Sequence, residues 1–171
     1  MSYLLAVIAV IAAVLFLMLL RKDARPASTT QKPFSWTGIG RQLDYSAIGA
    51  TARQVSDWPG LLAENCLDKD LGSICHTLTP DATGLWWEVD LQNAYDVKRV
   101  LVQNRRDCCA ERIVGAQLQV LSSERKLLKA VTFDAQQMTY SFPIEIRDVR
   151  FVRIQLARGI INLAEVVTYV M

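Results

Sequence analysis

The chain has 171 residues, enough for one globular domain and little more. Its 19 Lys and Arg against 17 Asp and Glu leave a net charge of +2, which excludes binding to nucleic acid through massed positive charge. Half of the residues are hydrophobic, which excludes a disordered chain, and a single histidine leaves little for a His-rich metal site or a His-based catalytic triad.

The first expected element is a membrane anchor. Residues 3–20, YLLAVIAVIAAVLFLMLL, form an unbroken apolar run of 18 residues without Gly or Pro. As a helix the run spans roughly 27 Å, close to the thickness of a bilayer's hydrocarbon core. Twelve of the 18 are Leu, Ile, Val or Phe. At about −0.4 kcal/mol each, insertion is favourable by roughly 5 kcal/mol. The n-region is only Met1-Ser2, the core is long, and Arg21-Lys22-Asp23 follow at once, so an uncleaved anchor over 1–20 is favoured over a signal peptide. Its partner is the lipid bilayer. Residues 21–40, with two prolines, a Ser-Thr-Thr run and no periodicity, read as a linker. The basic residues Arg21, Lys22 and Arg25 after the span place the remainder of the chain on the cytoplasmic side by the positive-inside rule.

The domain expected over 41–171 is dominated by period two. Residues 86–91, 97–102, 116–120, 129–133, 139–142, 151–156 and 164–170 are strand candidates, parted by turn residues. No long helical stripe occurs outside the anchor. The fold class is all-β, an antiparallel β-sandwich preceded by one transmembrane helix.

One segment stands out, Arg105-Arg106-Asp107-Cys108-Cys109-Ala110-Glu111-Arg112, which follows the 97–102 strand and so forms a loop at one end of the sandwich. One reading is a solvated charged turn. Adjacent Cα atoms lie about 3.8 Å apart, below the usual disulfide range of about 4.4–6.8 Å, so a Cys108–Cys109 bond closes a strained, reducible eight-membered ring. The alternatives are two free thiols, bridges to Cys66 and Cys75, or a zinc site with His76, which adjacent cysteines suit poorly.

From about Ile48 to Val170 the chain resembles the F-type lectins, the fucose-binding branch of the discoidin-like β-sandwiches. The motif of that family is a His, then Arg-x-Asp, four residues, and Arg or Lys. His76, Arg105-Arg106-Asp107 and Arg112 match it, with 28 residues between His76 and Arg105, two more than is usual. Paired cysteines inside the motif, Trp86-Trp87-Glu88-Val89-Asp90-Leu91 and Ala164-Glu165-Val166 are further matches. The resemblance implies a discoidin-like jelly roll and non-catalytic recognition of a fucosylated glycan. It implies carbohydrate contacts from His76, Arg105, Cys108, Cys109 and Arg112, with the vicinal disulfide packed on the sugar ring and Asp107 orienting an arginine or the loop. Guanidinium groups suit vicinal hydroxyls, because each offers paired donors. A single such site binds weakly, so avidity comes from many copies, as in a homo-oligomer or an anchored array.

The resemblance further implies Ca²⁺, held by Asn65, Asp68, Asp70, Ser73 and Glu165 at roughly matching positions; hard oxygen ligands suit that ion. Lys69 stands where the family has Gly, and Arg106 where it has a small residue. The family bridges a Cys beside the His to one before the final Glu. Here the latter is Ala164; one arrangement that uses all four cysteines pairs Cys75 with Cys66 and Cys108 with Cys109, and it needs an oxidising compartment, while the connectivity stays open. The cytoplasmic side favoured by the basic residues is reducing, and the side of the domain stays open between extracytoplasmic and a virion membrane. The internal membrane of a large DNA virus that oxidises its own virion proteins meets both demands. The second reading of function is accordingly a protein–protein interaction module, for example a virion component, with a degenerate sugar site. A third, lipid-headgroup binding, predicts exposed apolar loop tips, and the sequence shows no clear ones.

Overall fold

The computed structural model describes residues 40–78 and 83–171. The anchor expected at 3–20 and nearly all of the linker expected at 21–40 lie outside the described residues. Among the described residues no helix is long and apolar enough to cross a membrane. The helices there are two four-residue 3₁₀ turns, Ala63–Cys66 and Ala110–Ile113.

Eight strands carry the fold: β1 (Arg41–Gln42), β2 (Thr51–Gln54), β3 (Cys75–His76), β4 (Thr83–Asn104), β5 (Gln117–Leu121), β6 (Leu127–Thr132), β7 (Thr139–Arg158) and β8 (Asn162–Val170). All pairings are antiparallel, in the order β1-β8-β4-β7-β5-β6, with β2 added on β4 and β3 on β8. The sandwich arises because β4 and β7 bend and serve both layers. The first part of β4 pairs with the end of β7 and with β2; its last part pairs with the start of β7 and with β8. The register slips between Asp90 and Arg99, where Gln92 is left-handed (φ 68), and in β7 Glu145 and Asp148 are left-handed too. Bulges of this kind sharpen the local twist and turn a strand from one sheet to the next.

Alternation sets the core. Leu85, Trp87, Val89 and Leu91 of β4 point inward and are fully buried, while Trp86, Glu88 and Asp90 point out. Trp87 also donates its indole N–H to the Ala63 carbonyl at 2.9 Å, satisfying a buried donor. Phe133 packs edge-on against Tyr140 and Phe142, centroids 4.7 and 4.9 Å away.

Candidate functional site

The site begins where β3 ends. β3 pairs with β8, placing Cys75 opposite Leu163 and His76 opposite Asn162. A Cys66–Cys75 disulfide, Cα atoms 5.4 Å apart, ties the preceding loop beneath this short strand. The His76 backbone is held on its other side too. Its N–H donates to Leu61, and its carbonyl accepts from the Trp58 N–H (2.9 Å) and the Gln54 amide (3.1 Å). The imidazole lies 2.7 Å through Nδ1 from the Thr77 carbonyl. A carbonyl only accepts, so Nδ1 carries the hydrogen, and Nε2 of the neutral ring is left as an acceptor. His76 is buried, and burial pulls its pKa below the ordinary 6.5; the Thr77 bond opposes this, and the charges of Arg105 and Arg112 add to the lowering. The charges of both arginines of the motif thus act on the His76 ring.

The arginine loop starts at the last residue of β4. Asn104 is fully buried and closes the loop: its amide donates to Ala110 (2.8 Å) and Gln137 (3.0 Å), and its oxygen accepts the Arg105 N–H (2.8 Å). Arg105 then forms a bidentate pair with Asp107, Nε and Nη2 lying 2.6 and 2.8 Å from the two carboxylate oxygens. Asp107 is held well below the usual carboxylate range by this pair, and so stays ionised. Its carboxylate fixes one edge of the guanidinium and leaves Nη1 for a ligand. Cys108 and Cys109 form a vicinal disulfide, Cα atoms 3.8 Å apart, with Cys109 in the left-handed region (φ 62). All four cysteines are thereby oxidised, which removes the thiolates that the zinc alternative requires. Arg112 follows in the 3₁₀ turn, and among the described residues its half-buried guanidinium has no hydrogen-bond or ion-pair partner. Arg106 points outward and, with Asp107, Leu71, Gly72 and Ile74, lines a cleft of about 220 Å³. Residues 79–82, between His76 and Arg105, lie outside the described residues.

Of the five residues expected to hold Ca²⁺, four meet around Ser73 and Glu165 reaches the same loop through the Lys69 N–H; among the described residues no group of three or more His, Cys, Asp or Glu side chains is placed to hold a metal ion. Ser73 Oγ lies 3.0 Å from the Asn65 carbonyl, 2.6 Å from the Asp68 carboxylate and 3.1 Å from the Asp70 carbonyl. The Asn65 side chain is turned away, donating to Gly60 and Ile74, so its carbonyl is the oxygen offered. Glu165, 4 % exposed, accepts the Lys69 N–H at 2.9 Å. Burial pushes its pKa up to about 7, with the Lys69 bond opposing and Asp68 adding to the rise. Lys69 adopts φ 67, the left-handed conformation that glycine takes more cheaply. The turn therefore forms with Lys69 in place. The donors are all oxygen, as Ca²⁺ requires, and a buried acid beside a second carboxylate is a site that a cation relieves.

Three residues here escaped the sequence reading: Trp58, Asn104 and Asn162. Trp58 is 46 % exposed and packs edge-on against His76, centroids 5.3 Å apart. Val55, Leu62, Leu71 and Leu78 are exposed in the same stretch of loops. The apolar loop tips that the sequence did not show are therefore present. Trp58 follows Asp57 and precedes Pro59-Gly60, a turn signal that marks an exposed aromatic; nothing local marks Asn162.

The arrangement offers directional donors from two arginines, one imidazole acceptor and apolar surface from a disulfide and an indole. It offers no nucleophile and base, since the Nδ1–H of His76 ends on a backbone carbonyl rather than on a carboxylate. This is the equipment of a β-sandwich binding domain. The chain belongs to the family of NedA-like, galactose-binding domains, which it matches over residues 65–154, just over half its length. It is similar to Fucolectin-5 of Anguilla japonica, 34 % identical over 100 residues, covering 57 % of this chain and 50 % of that one. A pentraxin fusion protein of Xenopus laevis is 35 % identical over 89 residues, 52 % of this chain and 20 % of the relative. The chain thus spans half the length or less of these relatives. Among solved structures, the lectin domain of lectinolysin complexed with Lewis B antigen is 26 % identical, with a TM-score of 0.67 over 73 % of this chain and 95 % of that domain. Lectins bind without turning over their ligands, and the chain is a binding domain, not an enzyme.

Proposed function

We propose that the domain binds a terminal fucose-like sugar at His76, Arg105 and Arg112, with the Cys108–Cys109 disulfide as the apolar floor under the sugar ring. The observation that carries this reading is the pairing of a prearranged guanidinium, Arg105 held by Asp107, with a partnerless one, Arg112, both within electrostatic reach of a neutral His76. Vicinal hydroxyls each offer a donor and acceptors. The arginines bond their oxygens, and His76 Nε2 accepts one of their hydrogens. Similarity to the fucolectins and to a Lewis B-binding lectin domain supports fucose over other neutral sugars.

In the same reading, Ca²⁺ occupies the loop of Asn65, Asp68, Asp70 and Ser73 with Glu165. It would supply charge that offsets the buried Glu165 carboxylate and its neighbour Asp68, and would fix the loop beside the Arg106–Asp107 cleft. Residues 3–20 anchor the chain in a bilayer, which sets many weak sites side by side. The test is retention on immobilised L-fucose and elution by the free sugar. Wild-type chain is retained, whereas Arg105→Ala and Arg112→Ala pass through with unchanged circular dichroism. Retention of either folded variant refutes the assignment.

A further inference from the structure

Among the described residues, four buried side-chain nitrogen or oxygen atoms lack any hydrogen-bond partner: Gln54 Oε1, Arg99 Nε, and both Asn162 Nδ2 and Asn162 Oδ1. Three of the four belong to residues that flank His76. Gln54 donates to the His76 carbonyl, and Asn162 stands directly opposite His76 in the β3–β8 pair. Directly opposed residues in an antiparallel pair share a face, with Cβ atoms about 4.5–5.5 Å apart. The amide of Asn162, 1 % exposed, therefore lies alongside an imidazole whose Nδ1 is engaged and whose Nε2 is a bare acceptor.

A buried amide with neither end satisfied costs stability, on the order of 1–3 kcal/mol for each orphaned group. Nothing in the packing of β8 requires it, since its neighbours Ile161, Leu163 and Ala164 are apolar and buried. Polar recesses with two or more partners are where buried water sits, and the Asn162 amide and Nε2 supply an acceptor, a donor and a second acceptor.

We propose that Asn162 is a positioning residue of the sugar site, acting on His76 through one buried water that its amide holds against the ring. The water accepts from Asn162 Nδ2 and donates to His76 Nε2. In the free site it keeps the ring neutral and aimed; when a sugar hydroxyl takes the single Nε2 lone pair, the water, still held by Asn162, turns its hydrogen to that hydroxyl's oxygen and gives the sugar a second, water-mediated contact with the protein. The role in affinity rests on the fucose reading above; the coupling between Asn162 and His76 does not.

His76 is the only histidine in the chain, so its ring signals identify themselves in nitrogen-detected NMR without assignment. The experiment follows the full chain, kept in mild detergent, as wild type and as Asn162→Leu, which matches the shape of the amide without its polarity. Asn162→Ala serves if the leucine does not fold. Expected are a thermal midpoint equal to or above that of wild type, an Nε2 resonance moved towards that of a nitrogen without a hydrogen bond, and a His76 titration midpoint raised by about half a pH unit or more, because the neutral ring loses the donor that favours it. L-fucose affinity falls about tenfold, the net worth of one hydrogen bond. A folded variant whose His76 midpoint and Nε2 resonance match wild type overturns the proposal. Absence of fucose binding by the wild-type chain is read separately, in the same samples, as failure of the sugar reading.

Discussion

In the proposed reading, Arg112 is the residue on which sugar binding depends most. It has no protein partner among the described residues, so its replacement removes ligand contacts and disturbs little else. Arg112→Ala should cost about 2–3 kcal/mol of binding, the loss of charge-assisted hydrogen bonds, which is roughly a 30- to 150-fold weaker dissociation constant by isothermal titration; an unchanged constant removes Arg112 from the site. His76 makes a different prediction. Its folded-state pKa is depressed, so the neutral, accepting form persists above 6.5 and is lost only below that value. Binding should be flat from pH 8 to 6.5 and fall at more acid pH. The His76 contribution to stability should fall in the same direction, because the unfolded chain takes up its proton first, whereas Glu165, whose folded pKa is raised to about 7, contributes in the opposite sense. A rise in affinity on acidification would show that the imidazolium is the binding form. The residue scale is also where the sequence was most informative. The Arg-x-Asp spacing carries its own geometry, because Asp107 lies two positions from Arg105 and reaches its guanidinium from within one loop. Asn162 was illegible for the opposite reason: its relation to His76 exists only through strand pairing across 85 intervening residues.

At the scale of elements, two disulfides do different jobs. Cys66–Cys75 is fully buried and closes a short loop beneath β3. Chain entropy assigns such a loop about 2.5–3 kcal/mol, so replacing both cysteines with alanine should lower the melting temperature by roughly 10 °C. Cys108–Cys109 closes no loop, and Cys108 is exposed. Mild reductant should therefore open it first, removing sugar binding while leaving the melting temperature within about 2 °C, a difference calorimetry and thiol counting resolve together. The strands show where sequence patterns stop. Alternation located 86–91 and 97–102 but not their union in β4, nor that of 139–142 and 151–156 in β7. The link is made by left-handed residues such as Gln92 and Asp148, which look like ordinary turn residues in sequence. β1, β2 and β3 are two to four residues long and carry no periodicity to read. Their existence depends on the edges of β8 and β4 that they cover.

For the whole molecule, the candidate site residues lie in loops after β2, around β3 and after β4, on a sandwich whose core is made elsewhere. That separation lets the site vary without loss of the fold. The loop proposed to hold Ca²⁺ is tied to the core, because Glu165, which accepts the Lys69 N–H, sits in β8 between core residues. Excess Ca²⁺ should raise the melting temperature by mass action, and EDTA should reverse the rise; no difference in scanning calorimetry between the two would remove Ca²⁺ from the account. The central claim is recognition of a fucose-like sugar by the arginine–disulfide loop. It is tested most directly by calorimetric titration of the chain with L-fucose in Ca²⁺, in EDTA and after mild reduction. The account predicts saturable heat of modest affinity that disappears on reduction. A flat titration from folded, oxidised, Ca²⁺-supplied protein would contradict it.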